Sequence, residues 1–155
     1  MSEEEPRWLS EREMLAWRSY IVATLHLRQR LHRELAEEHD LSLIDYEVLV
    51  ALSASEDGRA RMSDLAAMLG STKSRLSHQV GRLEHEGHVQ RERDPADRRG
   101  VVTVLTESGR ALLRRAAPTH VTGVRAHLID LLTEEEQVVL GEAFSRVNNH
   151  LGGAW

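Results

Sequence analysis

The stretch Arg61–Thr106, RMSDLAAMLGSTKSRLSHQVGRLEHEGHVQRERDPADRRGVVTVLT, decides the fold. It reads as a short helix, a turn, a second helix and a β-hairpin. In the second helix Ser71 or Thr72 stands at the N-cap, and Leu76, Val80 and Leu83 recur at spacings of four and three, one buried stripe. Helical geometry then assigns the opposite face to Ser74, Arg75, His78 and Arg82, with Lys73 and Ser77 at its margins. Gly87 ends this helix as a C′ glycine. The preceding helix is short: Ser63 is its expected cap, Leu65, Ala66 and Leu69 face inward, and Leu69-Gly70-Ser71 makes the turn between the pair.

Beyond Gly87 the period changes. His88–Arg93 and Gly100–Leu105 are short runs of strand character, the second strongly β-branched. Between them Asp94-Pro95-Ala96-Asp97 places Asp and Pro at the first two positions of a type I turn, which leaves Arg98 and Arg99 at the hairpin's tip or return edge. A hairpin appended to a helix-turn-helix is a wing. A helix carrying hydroxyl, imidazole and guanidinium donors fits the major groove of duplex DNA, and an arm of arginines suits the minor groove, whose negative potential rises where it narrows.

Working outward, the first long helix starts at Ser10, where Ser10 and Glu13 form a capping box and Leu9 and Met14 are spaced as a hydrophobic staple. Met14, Trp17, Ile21, Leu25, Leu31 and Leu35 continue at helical spacing to about Glu38. Such a helix is about 40 Å long, too long for so small a body to cover, and therefore wants a partner. A second S-x-x-D cap, Ser42 to Asp45, opens a helix whose buried side is expected to be Ile44, Val48, Leu49 and Leu52. After the wing, Thr106 caps a helix interrupted by Pro118, which should kink or split it. Thr133 and Glu136 form a last capping box ahead of Val139, Leu140, Ala143, Phe144 and Val147.

The expected architecture is mostly α with a small β-hairpin wing. A flexible N-terminus over 1–9 precedes it, a helical dimerisation region is formed by 10–38 together with 107–151, and the winged helix-turn-helix spans 41–106. The apolar sides of the terminal helices have no sheet to bury them, so a homodimer is expected. A two-fold dimer presents two recognition helices one DNA turn, or a multiple of it, apart, and so expects a pseudo-palindromic duplex.

Composition bounds the function. The 155 residues suit one domain with an appendage, and the absence of cysteine excludes disulfides, thiolate metal sites and a thiol redox switch. No signal peptide and no run long enough to span a membrane is present, so a cytoplasmic location is expected. The net charge of −5 is unevenly placed: Arg59–Arg99 holds nine Lys and Arg against six Asp and Glu, the remainder eleven against nineteen. Steering depends on one face rather than on the total, so the local excess is compatible with nucleic acid. There is no nucleophile elbow, Walker loop, dinucleotide fingerprint or zincin motif, hence no expected catalytic residue and no cofactor. The nine histidines include His85 and His88, His120 and His127, and His26 and His32, yet no pair has the third and fourth donors a metal site needs.

The run Asp97-Arg98-Arg99-Gly100-Val101-Val102-Thr103-Val104-Leu105-Thr106, followed by Glu107-Ser108-Gly109, resembles the wing signature of the MarR family of winged helix-turn-helix regulators. The similarity extends in element order over roughly residues 10–150. The resemblance implies that Arg99 enters the minor groove and that Asp97 is the carboxylate orienting it. By position, Thr72, Ser74, Arg75 and His78 face base edges, and Lys73, Arg82 and Arg98 are phosphate clamps. The resemblance also implies a small aromatic or anionic effector where the dimer helices meet the winged domain. Trp17, Arg18, Tyr20 and Tyr46 are the residues on the right helices, with a plain core or interface role as the competing reading. The leading function is a dimeric, sequence-specific DNA-binding transcriptional regulator, a repressor released by a small molecule. Two alternatives stay open: a winged-helix module that binds protein, and a metal-responsive regulator using the histidines.

Overall fold

The computed structural model describes residues 5–153, so the expectation of a flexible start falls outside the described residues for 1–4, and 5–10 carry no regular structure. In chain order the elements are α1 (Glu11–His39), α2 (Leu43–Ala54), β1 (Arg59–Arg61), α3 (Met62–Met68), α4 (Lys73–His85), β2 (Val89–Arg93), β3 (Val101–Leu105), α5 (Glu107–His127) and α6 (Glu134–His150). Short 3₁₀ turns at Glu56–Gly58 and Ile129–Leu131 join α2 to β1 and α5 to α6.

Local chemistry sets the helix starts. Ser10 with Glu13 and Thr133 with Glu136 form reciprocal capping boxes. Thr72 and Thr106 each accept the amide of the residue three places on. Ser42 likewise accepts the Asp45 amide, but the Asp45 carboxylate turns to Arg82 on α4 instead of returning to the cap. Ser63 is no cap: α3 begins at Met62 with Arg61 at the N-cap position, two residues before Ser63, and the Ser63 hydroxyl lies on Asp64.

The core forms around α2, which buries Leu43, Tyr46, Val48, Leu49, Ala51 and Leu52 and so has almost no solvent side. Ile44, expected inside, is 43% exposed, while its neighbours Leu43 and Tyr46 are buried. Leu31 and Leu35 of α1, Leu65 of α3, Leu76, Val80 and Leu83 of α4, and Leu112 and Ala116 of α5 close around it. Burial of a leucine is worth about 1.5–3 kcal/mol, so this shared contact dominates the placement of four helices.

The sheet has the order β1-β3-β2, antiparallel throughout, with Thr103 of β3 between Ala60 and Arg91. β1 was not expected: Arg-Ala-Arg carries no strand pattern and is drawn into register by β3. Gly109 lets α5 begin against the wing base, because a Cβ there would collide with the carbonyl oxygen of His88. Pro118 does not split its helix, and α5 runs unbroken to His127. After the proline it is pinned to α1, by Thr119 donating to Glu38 (2.7 Å) and by His127 against Glu34 (2.7 Å), and before it Leu112 and Ala116 are buried in the core. These tertiary contacts outweigh the single hydrogen bond the proline removes.

Two expectations follow. Gly109→Ala should cost about 1–3 kcal/mol in a denaturant melt through overpacking, and an unchanged midpoint would mean that the wing base is loose. His120 packs against Tyr46 in a tilted ring contact, 4.5 Å between centroids. Burial pushes its imidazole below the ordinary 6.5, against a weaker opposing pull from Glu47. A depressed folded value stabilises the protein above the unfolded value and is lost as pH falls through the folded one. Stability should therefore decline below about pH 6.5, and His120→Phe should flatten that decline in denaturant melts taken across pH; parallel slopes would contradict it.

Candidate nucleic-acid interface

α3 and α4 end in the same way. The Gly70 and Ser71 amides reach back to the carbonyls of Ala67 and Ala66, and the Gly87 and His88 amides to those of Glu84 and Leu83. Both glycines are left-handed, with φ of 58° and 82°, the double closure that a C′ glycine permits. The first closure sets the angle between the two helices, and the second turns the chain into β2. Leu76, Val80 and Leu83 are buried, so Lys73, Ser74, Arg75, Ser77 and His78 are held outward on α4 beside Thr72. Ser74, Ser77, His78, Gly81, Arg82 and His85 line an open trough together with Arg91 of β2.

The wing is built on Asp94, which is 6% exposed. Its Oδ1 accepts the Ala96 amide at 2.8 Å, and its own amide and the Gly100 carbonyl are 3.0 Å apart across the hairpin. Nε of Arg61 lies 2.7 Å from Oδ2, a charge contact without the alignment of a hydrogen bond. Asp97 accepts the Arg99 amide at 3.0 Å, so its carboxylate fixes the backbone from which Arg99 projects rather than the guanidinium itself. Lys73, Ser77, Asp97 and Arg99 line one cleft between the start of α4 and the wing.

The cations of this region fall into two sets. Arg59 pairs with Glu92, Arg61 with Asp94, Arg82 with Asp45, and Arg91 with Glu84. Arg91 binds Glu84 through its amide as well as its guanidinium, which holds that carboxyl below the usual carboxylate range. Among the described residues, no ion pair engages Lys73, Arg75, Arg98 or Arg99. Among the described residues of this region, positive charge without an ion-pair partner thus stands at the start of α4, at the tip of the wing and, with Arg93, at the end of β2 leading into the wing. Arg82, expected as a phosphate clamp, has its guanidinium on Asp45 and on the Ser42 hydroxyl (3.1 Å).

The residues considered for an effector occupy two places. Trp17 and Tyr20 lie together on α1, with Tyr20 stacked 4.6 Å from Phe144 of α6, and Arg18 stands exposed beside them. Tyr46 is buried elsewhere, against His120. Histidine side chains serve as local partners: His32 accepts the Leu43 amide, His39 meets Thr119, His88 meets Ser108, and His127 meets Glu34. Among the described residues, no group of three or more His, Cys, Asp or Glu is placed to hold a metal ion. The role of Asp45 and Asp94 as carboxylates that hold arginines is not legible in the sequence, because each has a local explanation as cap or turn residue.

Asp94→Ala should free the Ala96 amide and Arg61 together, costing about 1–3 kcal/mol and speeding amide exchange over 95–100 while α2 exchange is unchanged. Unaltered exchange in the wing would show that the turn stands without this carboxylate.

Residues 39–100 match the sequence profile of the MarR family. An HTH-type transcriptional regulator of Bacillus cereus is 30% identical over 136 residues, 88% of each chain. AbsC, a MarR family transcriptional regulator from Streptomyces coelicolor, is 44% identical and superposes with a TM-score of 0.87 over 96% of this chain and 100% of its own. Sco3205, a MarR family regulator from the same organism whose crystal structure is in complex with DNA, is 45% identical with a TM-score of 0.89, over 96% of this chain and 93% of its own. With the six helices, the three-stranded sheet and the wing in the same order, the chain belongs to the MarR family of winged helix-turn-helix transcriptional regulators, DNA-binding proteins rather than enzymes.

Proposed function

We propose that the chain acts in the cytoplasm as a homodimeric repressor of specific promoters, released by a small molecule. The observation that carries DNA reading is the division of cations: four arginines near the site are neutralised internally, whereas Lys73, Arg75, Arg98 and Arg99 are not. In this reading Thr72, Ser74, Arg75 and His78 meet base edges in the major groove, with Ser77 at the margin. Lys73 and Arg98 hold phosphates, and Arg99 enters the minor groove from a backbone fixed by Asp97. A protein-binding wing has no use for this alignment.

Dimerisation is supported by α6, in which no residue is buried, and by Leu15, Trp17, Val22 and Leu25 of α1, all exposed. A helix of 17 residues with Val138, Val139 and Val147 in water is marginal alone, so a second copy of the chain supplies the missing cover. An aromatic or anionic effector is supported by the Trp17 and Tyr20 rings beside Arg18, and by the groove lined by Tyr20, Leu27, Leu140 and Phe144. It would act by favouring a dimer geometry whose recognition helices no longer match the two half-sites.

Selection from a random duplex library should enrich a pseudo-palindrome, bound at about 10⁻⁸ M or tighter and weakening steeply with salt. Arg99→Ala should lose about 1–3 kcal/mol per half-site on that duplex with the fold intact. Sedimentation equilibrium at micromolar concentration should give the mass of two chains. No enriched sequence, wild-type affinity of the Arg99 variant, or the mass of one chain would each overturn the corresponding part.

A further inference from the structure

Ser74, His78 and Arg82 share one stripe of α4, four residues apart, yet Arg82 does not share the fate of the other two. Its guanidinium folds back over α2 to the Asp45 carboxylate and the Ser42 hydroxyl. Asp45 is 4% exposed, and its second oxygen, Oδ1, is buried with no hydrogen-bond partner among the described residues. Arg82 is therefore the cation that compensates a buried charge, and withdrawing it toward a phosphate would leave that charge unpaired, a strongly unfavourable exchange. The same turn of α2 is tied to α1: Glu47 receives a bidentate pair from Arg28 at 2.7 and 3.0 Å, and the Leu43 amide donates to His32 of α1 at 3.2 Å. The first turn of α2 is thus a joint, with the long helix α1 on one side and the recognition helix on the other.

We propose that Arg82 is a positioning residue, which locks α4 to α2 through Asp45 and sets the angle at which Ser74, Arg75 and His78 are presented, and that it makes no phosphate contact. The inference rests on α4 being the DNA-reading helix. Loss of the pair tilts or loosens α4 without removing a cation from the backbone-tracking face, so sequence-specific binding suffers and sequence-independent binding does not.

The test compares wild type, Asp45→Asn, Arg82→Met and the double variant, using the full chain. The probes are the duplex enriched from a random library by wild type and a 30-base-pair duplex of unrelated sequence. Each single variant should bind the enriched duplex about ten-fold more weakly, and the double variant no more weakly than either, because one interaction is being removed twice. On the unrelated duplex, affinity and the slope of log K against log[salt] should match wild type in all four proteins. Amide exchange over Lys73–His85 in the DNA-free protein should speed up in both single variants, with circular dichroism showing the helices retained.

A phosphate clamp would behave in the opposite way. Arg82→Met would weaken both duplexes and lower the salt slope by about one per half-site, while Asp45→Asn, by freeing the arginine, would bind as tightly as wild type or tighter. Either that pattern or wild-type binding and exchange in both single variants overturns the proposal. If no duplex is enriched, the specific-regulator reading fails on its own account, and the exchange rates and the unrelated duplex still decide the role of Arg82.

Discussion

The burial of α2 is the constraint on which the rest depends. A helix enclosed by α1, α3, α4, α5 and the sheet can present almost nothing to solvent, and the elements packed around it are positioned by what they place against Val48, Leu49 and Leu52. The recognition helix contributes Leu76, Val80 and Leu83 to that contact, and this decides which of its residues look away from the protein. A hydrophobic interface fixes which face is buried, but it tolerates sliding and rotation, since it has no directional bonds. Direction comes from the charged contacts at the rim of α2: Arg82 with Asp45 on the α4 side, and Arg28 with Glu47 on the α1 side.

The chain carries more acid than base, yet the face made by α4 and the wing is basic because the internal pairs cancel selectively. Arg59, Arg61 and Arg91 are bound by carboxylates on or beside the sheet and serve its geometry, whereas the arginines at the tip stand on a turn whose carboxylates are engaged with backbone amides. Asp94 and Asp97 shape the wing through amides, so they stiffen it without neutralising Arg98 or Arg99. Function follows from this division of labour between cations that hold the structure and cations that remain available to an anionic partner.

What could be read from the sequence is what is encoded locally. Ser10 with Glu13, Thr133 with Glu136, Thr72, Gly70, Gly87 and the turn at Asp94-Pro95 act within a few residues of themselves, and each does in the structure what its spacing implies. The features that were not legible depend on distant partners. β1 is a strand because β3 is beside it, Ile44 is outside because Leu43 and Tyr46 have better places inside, and α5 survives Pro118 because the core holds its first half through Leu112 and Ala116 and α1 holds its second through Thr119 and His127. Helical spacing gives the face on which Arg82 starts, but a long side chain can leave its face, and the attraction of a buried carboxylate on another helix has no trace in local spacing.

The most direct test of the account is hydroxyl-radical footprinting of the protein on the duplex it selects. A two-fold dimer reading DNA through α4 and the wing should give two protected regions related by two-fold symmetry, centred about 10 base pairs apart, each flanked by minor-groove protection that disappears when Arg99 is replaced by alanine. A single protected patch, or flanking protection that persists in the alanine variant, would contradict it.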